Sequence, residues 1–246
     1  MKILEWNIHK MTNSISVAPF VYKRICGQDA DIICLVEYLD DAEIKNALEN
    51  NNYWIRESKA LSGNKILIAV SKAVSSSELT VIRDTEEPSC YNFLHVRFRN
   101  HNNENLSIIG VRMLSPIDAS KQTPPLNRYL ASVGEAFICL GDFNIKLHRM
   151  RKWFPDYSII NLLNKTEEID SASIVYTDKD HKITDFGAVD HIISSENVNS
   201  WSEYSWDFIV DHKIYPSSKK DIIRGNPWYI PAAYPDHAIL SAEVII

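Results

Sequence analysis

The 246-residue chain has only four cysteines, Cys26, Cys34, Cys90 and Cys139, and none of the paired Cys or Cys/His spacings that build a zinc site. Cys34 and Cys139 lie inside apolar runs, where a reduced thiol behaves as a small hydrophobe. This argues against a disulfide framework and makes a reducing cytoplasm the expected compartment. No run of about 18 apolar residues occurs, so no membrane-crossing helix is expected. MKILEWNIHK passes straight into strand-like alternation and reads as no standard export signal. An excess of positive charge is also missing. With 26 Lys and Arg against 32 Asp and Glu, the net charge of −6 supplies no general attraction for nucleic acid. It does not exclude that partner, because a cleft of metal-binding carboxylates is acidic by construction and a local basic rim still holds phosphate. Repeats, low-complexity tracts and long linkers are absent, and a single domain over 1–246 is expected.

What is present is a succession of short apolar or alternating runs of strand length. They fall at 2–8, 31–36, 65–70, 78–83, 93–99, 106–113, 136–140, 188–193 and 238–246, many rich in Ile and Val. Helix-like segments lie between them at 17–28, 40–50, 124–134 and 146–154, with a weaker one at 158–164. The mixture predicts an α/β or α+β domain with two sheets. Polar loops are expected near 100–105, 177–185 and 211–235, and the last has the length of a functional surface loop.

Several strand ends carry a polar residue that does not belong in a core. Asn7 ends LEWN, Glu37 follows DIICLV, Asp142 and Asn144 follow FICLG, Asp190 sits in AVDHII, and Asp236 with His237 precede the last strand in YPDHAIL. Side chains at i and i+2 of an extended chain point the same way, so Asp142 and Asn144 can face one site. Each residue alone also reads as a turn or solvated residue, since Asp and Asn favour local backbone hydrogen bonds. Their joint order is what carries weight.

Five motifs in sequence, WNIH (6–9), LVEY (35–38), GDFN (141–144), VDHIIS (189–194) and PDHAIL (235–240), resemble the endonuclease/exonuclease/phosphatase, or DNase I-like, superfamily. The resemblance implies a four-layer sandwich of two packed mixed β-sheets flanked by helices, with the active site at one end of the sheets. It also implies a divalent metal, usually Mg²⁺ with Mn²⁺ as a substitute, and hydrolysis of a phosphate ester by water. Hard cations of this kind take oxygen ligands and keep several waters. Carried onto matching positions, the resemblance makes Glu37, Asp236 and Asn7 the metal-side residues. Asp142 would orient or deprotonate the attacking water, with Asn144 bonding the water or phosphate. His237 would contact the phosphate, and Asp190 would orient His237.

The pattern departs from the family at the end of the strand SIIGVRMLSP, where many members place a His or Tyr and this chain offers Arg112 and Met113. Met cannot donate a proton, and Arg112 reads as a phosphate contact or as a solvated strand residue. GDFN is followed by Ile145 and Lys146, unlike inositol phosphatases. KLHRMRKWF (146–154) sets Lys146, His148, Arg149, Arg151 and Lys152 beside Trp153 and Phe154. Such a segment holds nucleic-acid phosphates and stacks on bases, or is an amphipathic helix with a solvated basic face. Lys219, Arg224, Trp228 and Tyr229 in the long loop offer a second wall of a cleft or simple anchors. The expectation is therefore a metal-dependent nuclease, DNA ahead of RNA as substrate, with Arg112, Lys146, Arg149 and Trp228 as substrate contacts. The alternatives are a phosphatase or phosphodiesterase of a small metabolite, nucleotide or lipid headgroup, and a non-catalytic nucleic-acid-binding module.

Overall fold

The computed structural model describes residues 1–8, 19–61, 64–85, 91–114, 119–160, 172–177, 183–196, 199–205 and 237–245. Two six-stranded mixed sheets pack face to face. The first has the order β13 (Asn199–Ser205), β14 (Ile239–Ile245), β1 (Lys2–Asn7), β2 (Ile32–Tyr38), β4 (Lys65–Ser71) and β3 (Tyr53–Glu57). The second runs β5 (Thr80–Asp84), β6 (Tyr91–Arg99), β7 (Asn105–Met113), β8 (Ala136–Asp142), β12 (Asp190–Ser194) and β9 (Ser158–Ile159). In each sheet one parallel pair lies at the centre, β1 with β2 and β7 with β8. All seven residues of β2 are buried, as the unbroken run IICLVEY requires of a strand covered on both faces. A hairpin of β10 (Ile174–Thr177) and β11 (Ile183–Gly187) stands beside them.

On β7 the opposite sheet packs directly against Gly110. A Cβ there would meet Ile66 Cγ2 at 2.6 Å and Cys34 Sγ at 3.1 Å, so the small residue admits the opposite sheet. Ile3, Ile32, Ile66, Ile68, Ile108, Leu140 and Ile192 belong to the main core cluster. A second cluster joins Ile109, Val111, Met113, Cys139 and Ile193, on the outer face of the second sheet, to Leu126 and Leu130 of α3 (Ala119–Ala131) and Met150 of α4 (Leu147–Trp153). On the other sheet lie α1 (Pro19–Gly27) and α2 (Ala42–Asn50), the latter capped by Asp41, whose side chain accepts from the Glu43 and Ile44 amides. The architecture is the layered sandwich that the motif order implies.

Some elements differ from expectation. The segment expected as a helix at 158–164 begins instead as β9, pairing Ile159 with Ile193, and its remainder lies outside the described residues from 161. α3 starts five residues before the expected Pro124 and encloses both Pro124 and Pro125, because burial of Leu126 and Leu130 in the outer core cluster outweighs the two missing backbone donors. β3 and β13 went unread because their alternation mixes Trp and Tyr with charged residues at half-exposed sheet edges. The polar segment 100–105 is the tight turn of the β6–β7 hairpin, with Asn103 at φ 66°. The described part of 177–185 belongs to the β10–β11 hairpin, and the loop 211–235 lies outside the described residues. Among the described residues no helix is long and apolar enough to cross a membrane, and Cys34 and Cys139 are free thiols. Cys90 lies outside them.

Candidate active site

At one end of the sandwich the two sheets exchange polar contacts across four neighbouring strand pairs. His237, just before β14, has Nδ1 2.7 Å from Asp190 Oδ2 on β12. Asn7 on β1 donates Nδ2–H to Asp142 Oδ2 on β8 at 3.1 Å. Arg112 on β7 donates to Glu37 Oε1 on β2 from Nε and Nη2, at 2.7 and 2.6 Å. Asn92 on β6 donates Nδ2–H to the carbonyl of Asn64, the residue before β4, at 2.7 Å. At the usual strand spacing this row spans about 14 Å. It arises because Asn7, Glu37, Arg112 and Asp142 close their strands at the end of the sandwich where Asn92 and Asp190 open theirs and where Asn64 and His237 precede β4 and β14.

The GDFN turn is shaped by its own backbone. Gly141 has φ 140°, and a Cβ on it would overlap the Val111 carbonyl oxygen, so only glycine fits. Gly141→Ala is therefore expected to lower stability by upward of about 4 kcal/mol, measured by urea denaturation; a loss below about 1 kcal/mol would mean that the turn reshapes freely. Asp142 ends β8, and Asn144 then turns left-handed at φ 51°. Asp142 and Asn144 thus do not share a face through strand pleating. They meet through an Asx-type turn: Asn144 N–H donates to Asp142 Oδ1 at 2.9 Å, and Asn144 Nδ2 donates to Asp142 Oδ2 at 2.9 Å and to the Met113 carbonyl at 2.7 Å. Asn144 therefore spends its amide on holding Asp142. His191 Nε2, 2.6 Å from the Ile145 carbonyl, anchors the far side of the turn.

Glu37 has φ 54°, uncommon for a side chain of its size, and sits where the β2–β4 register shifts between Leu35 and Tyr38. The bulge turns its carboxylate toward Arg112 at a cost of roughly 1–3 kcal/mol, a strain that collects at functional sites. Met113 faces the opposite way, buried in the outer core cluster, so of the two residues at that strand end only Arg112 reaches the row.

Asp142, Asp190 and His237 are all buried and bring their ligand atoms within 4.8 Å of one another. Asp190 and Asp142 are directly paired across β12 and β8. Burial, and then the charge of Asp190, push the Asp142 carboxyl up to about 7, against the pull of His237 and Arg112. The His237 backbone is tied by Trp6 Nε1–H to its carbonyl at 3.0 Å and by a bridge to Ile174. Asp190 is tied by its amide to Ser173 Oγ at 3.2 Å and by the Tyr204 hydroxyl to its carbonyl at 2.5 Å.

Lys146, at the N-cap of α4, and Arg149 on the helix are exposed beside the turn, together with His148, Arg151 and Lys152, while Met150 is the buried side of that helix. Asp236 and Trp228, with Lys219, Arg224 and Tyr229, lie outside the described residues.

Sequence reasoning missed Glu5. It is fully buried two residues before Asn7 on the same face of β1, and neither of its carboxylate oxygens has a hydrogen-bond partner among the described residues. Burial and then Asp190 raise its pKa well above the usual range, and His237 lowers it. The signal was available: period two on β1 places Glu5 with Asn7, and an acid inside KILEWN is out of place in a core strand. Asn64 and Asn92 were missed because isolated Asn residues beside strands read as turns.

The oxygen-rich donor set suits a hard divalent cation. Glu37 Oε2 has no partner among the described residues, and the Asp142, Asp190 and His237 atoms are close enough to share an ion.

No family model and no curated protein matches the sequence. Solved structures do. ANGEL2, a 2′,3′-cyclic phosphatase in complex with adenosine-2′,3′-vanadate, superposes with a TM-score of 0.69 at 12% identity, covering 99% of this chain and 94% of that one. D. rerio TDP2 complexed with a single-strand DNA product gives 0.64 at 12% identity, over 100% and 99% of the two chains. An endonuclease/exonuclease/phosphatase family protein from Leptotrichia buccalis gives 0.63 at 12% identity over 100% of both. At such identities a likeness carries the fold and not the activity. The chain has the DNase I-like fold of the endonuclease/exonuclease/phosphatase superfamily.

Proposed function

We propose that the protein is a divalent-metal-dependent phosphodiesterase that hydrolyses nucleic acid, DNA ahead of RNA, by attack of water, and that residues 1–246 act as one domain in the cytoplasm. The observation that carries the reading is the buried Asp142, Asp190 and His237 trio set beside Glu37 and Arg112 at one end of the sheets. Magnesium, with manganese as a substitute, would be held by Glu37, Asn7 and Asp236 and would supply Lewis-acid stabilisation of charge on the phosphate.

The chain's own residues do the rest. Asp142, at about 7, is poised to take a proton from water near neutral pH, and its two bonds from Asn144 and one from Asn7 aim it. Asp190 accepts His237 Nδ1–H and so sets the tautomer of the ring, whose role is to stabilise charge developing on a phosphate oxygen. Asp190→Asn should cut kcat roughly hundredfold with KM little changed, because the tautomer of His237 is no longer set. An equal loss in kcat/KM that comes wholly from KM would remove His237 from the reaction.

Support for a polymeric substrate is the exposed run of Lys146, at the N-cap of α4, with His148, Arg149, Arg151 and Lys152 on the helix, a local positive surface on a chain of net charge −6. Of the superposed structures, D. rerio TDP2 is complexed with a single-strand DNA product and ANGEL2 with an adenosine cyclic phosphate analogue. The latter keeps a small phosphoester as the second reading. The deciding experiment is a panel of plasmid, single-stranded DNA, RNA and small phosphoesters with Mg²⁺ or Mn²⁺, with and without EDTA. Cleavage of DNA that EDTA abolishes is expected. Activity confined to small phosphoesters would replace the first reading by the second, and no metal-dependent turnover on any of them would leave a binding module.

A further inference from the structure

Arg112 makes both of its contacts with Glu37 through one carboxylate oxygen, Oε1, from Nε at 2.7 Å and Nη2 at 2.6 Å. Oε2 has no partner among the described residues. The two side chains are only 10% and 17% exposed, so the pair is shielded from water and does not behave as a screened surface ion pair. The bulge and positive φ at Glu37 aim the carboxylate at the guanidinium, and the strand register places Arg112 opposite Asp142 on β8. The guanidinium is a permanent cation planted on an acid that keeps its second oxygen open among the described residues.

Resting on the metal-dependent reading above, we propose that Arg112 is a positioning residue of the metal-side carboxylate: it clamps Glu37 through Oε1, leaves Oε2 turned to a divalent cation, and by its charge holds the affinity for that cation down. The clamp and the charge act in opposite directions on metal binding. A positive charge that shares a carboxylate with a divalent ion weakens its binding by on the order of tenfold even when screened as in water. Orientation contributes less, because Glu37 is already nearly buried at the end of a covered strand and has little freedom for Arg112 to remove. The charge therefore wins. A cation bound loosely at this position still draws a phosphate, since Arg112 stays beside it as a second positive group with planar N–H donors suited to phosphate oxygens.

The test is direct Mn²⁺ binding by titration calorimetry and electron spin resonance on the full chain, without substrate, for the wild type, Arg112→Leu and Arg112→Lys. Arg112→Leu is expected to bind Mn²⁺ about tenfold more tightly, and Arg112→Lys, which keeps the charge but not the fork, to stay close to the wild type. Unchanged or weaker Mn²⁺ binding by Arg112→Leu overturns the proposal, because a residue with only a structural role lowers the melting temperature and leaves metal affinity alone. A melting cycle in EDTA with Glu37→Gln, Arg112→Leu and the double variant keeps the two failures apart. Absence of coupling there, with Mn²⁺ still bound, defeats the clamp and spares the metal reading. Coupling with no Mn²⁺ bound by any variant defeats the metal reading, and the proposal falls with it.

Discussion

Replacing Asp142 by Asn is expected to cut metal-dependent hydrolysis about a thousandfold, since a carboxamide cannot accept the proton of the attacking water, while making the metal-free protein more stable at alkaline pH. The stability half follows from burial. Asp142 ordinarily titrates at 3.8 and is held at about 7 in the fold, with burial the larger cause and Asp190 the next. A raised carboxyl leaves stability intact below pH 3.8, where folded and unfolded chains are both protonated. Stability is then lost as pH rises toward 7, because the unfolded chain releases its proton first, and the loss is constant above that. At full development it amounts to about 4 kcal/mol. Asn removes this loss at the cost of acceptor capacity, because Asp142 takes three hydrogen bonds and an amide oxygen serves fewer, which costs about 2 kcal/mol. The two effects cross. In EDTA the variant should melt below the wild type near pH 4.5 and roughly 5 °C above it at pH 8. Parallel melting curves at both pH values would mean that Asp142 ionises freely in the fold, and the assignment of the water-activating base would then have to move.

The second large effect is at Glu37. Glu37→Gln should reduce hydrolysis about a thousandfold, the several kcal/mol that a Lewis acid contributes to a phosphate transition state. It should also remove Mn²⁺ binding and the stabilisation that bound metal gives through mass action. The fold is expected to survive, because Gln keeps the volume and one carbonyl acceptor for Arg112, although the pair loses its charge assistance. The outcome that sinks the assignment is a Glu37→Gln protein that melts as the wild type does and still hydrolyses its substrate with undiminished dependence on Mg²⁺. In that case the buried group at Asp142, Asp190 and His237 would be the metal centre, and Glu37 only the counter-ion of Arg112.

The strand-rich layout was readable because a chain that alternates or fills apolar positions over five to nine residues has few ways to bury them. IICLVEY, KILIAVS and ILSAEVI became β2, β4 and β14 near their expected limits. Glu37, Asp142, Asp190 and His237 stood out for the complementary reason: a polar group at the end of such a run has to be satisfied or used. Asn144 was legible as a partner of Asp142, though by the wrong geometry, since i to i+2 alternation applies to an extended chain and this segment turns left-handed.

Contact identity was not legible. Arg112 was read as a phosphate contact or a solvated residue, and nothing linear sets it against Glu37, 75 positions away on the other sheet. Nothing in the linear pattern shows that packing encloses Glu5 with no hydrogen-bond partner among the described residues. The amino-acid order by itself determined most of the central strands and several of the polar side chains at their ends, because both follow from local burial and backbone geometry. Only the tertiary structure decided which of those side chains meet, because cross-sheet neighbours are set by strand order and by how closely two sheets pack at residues such as Gly110.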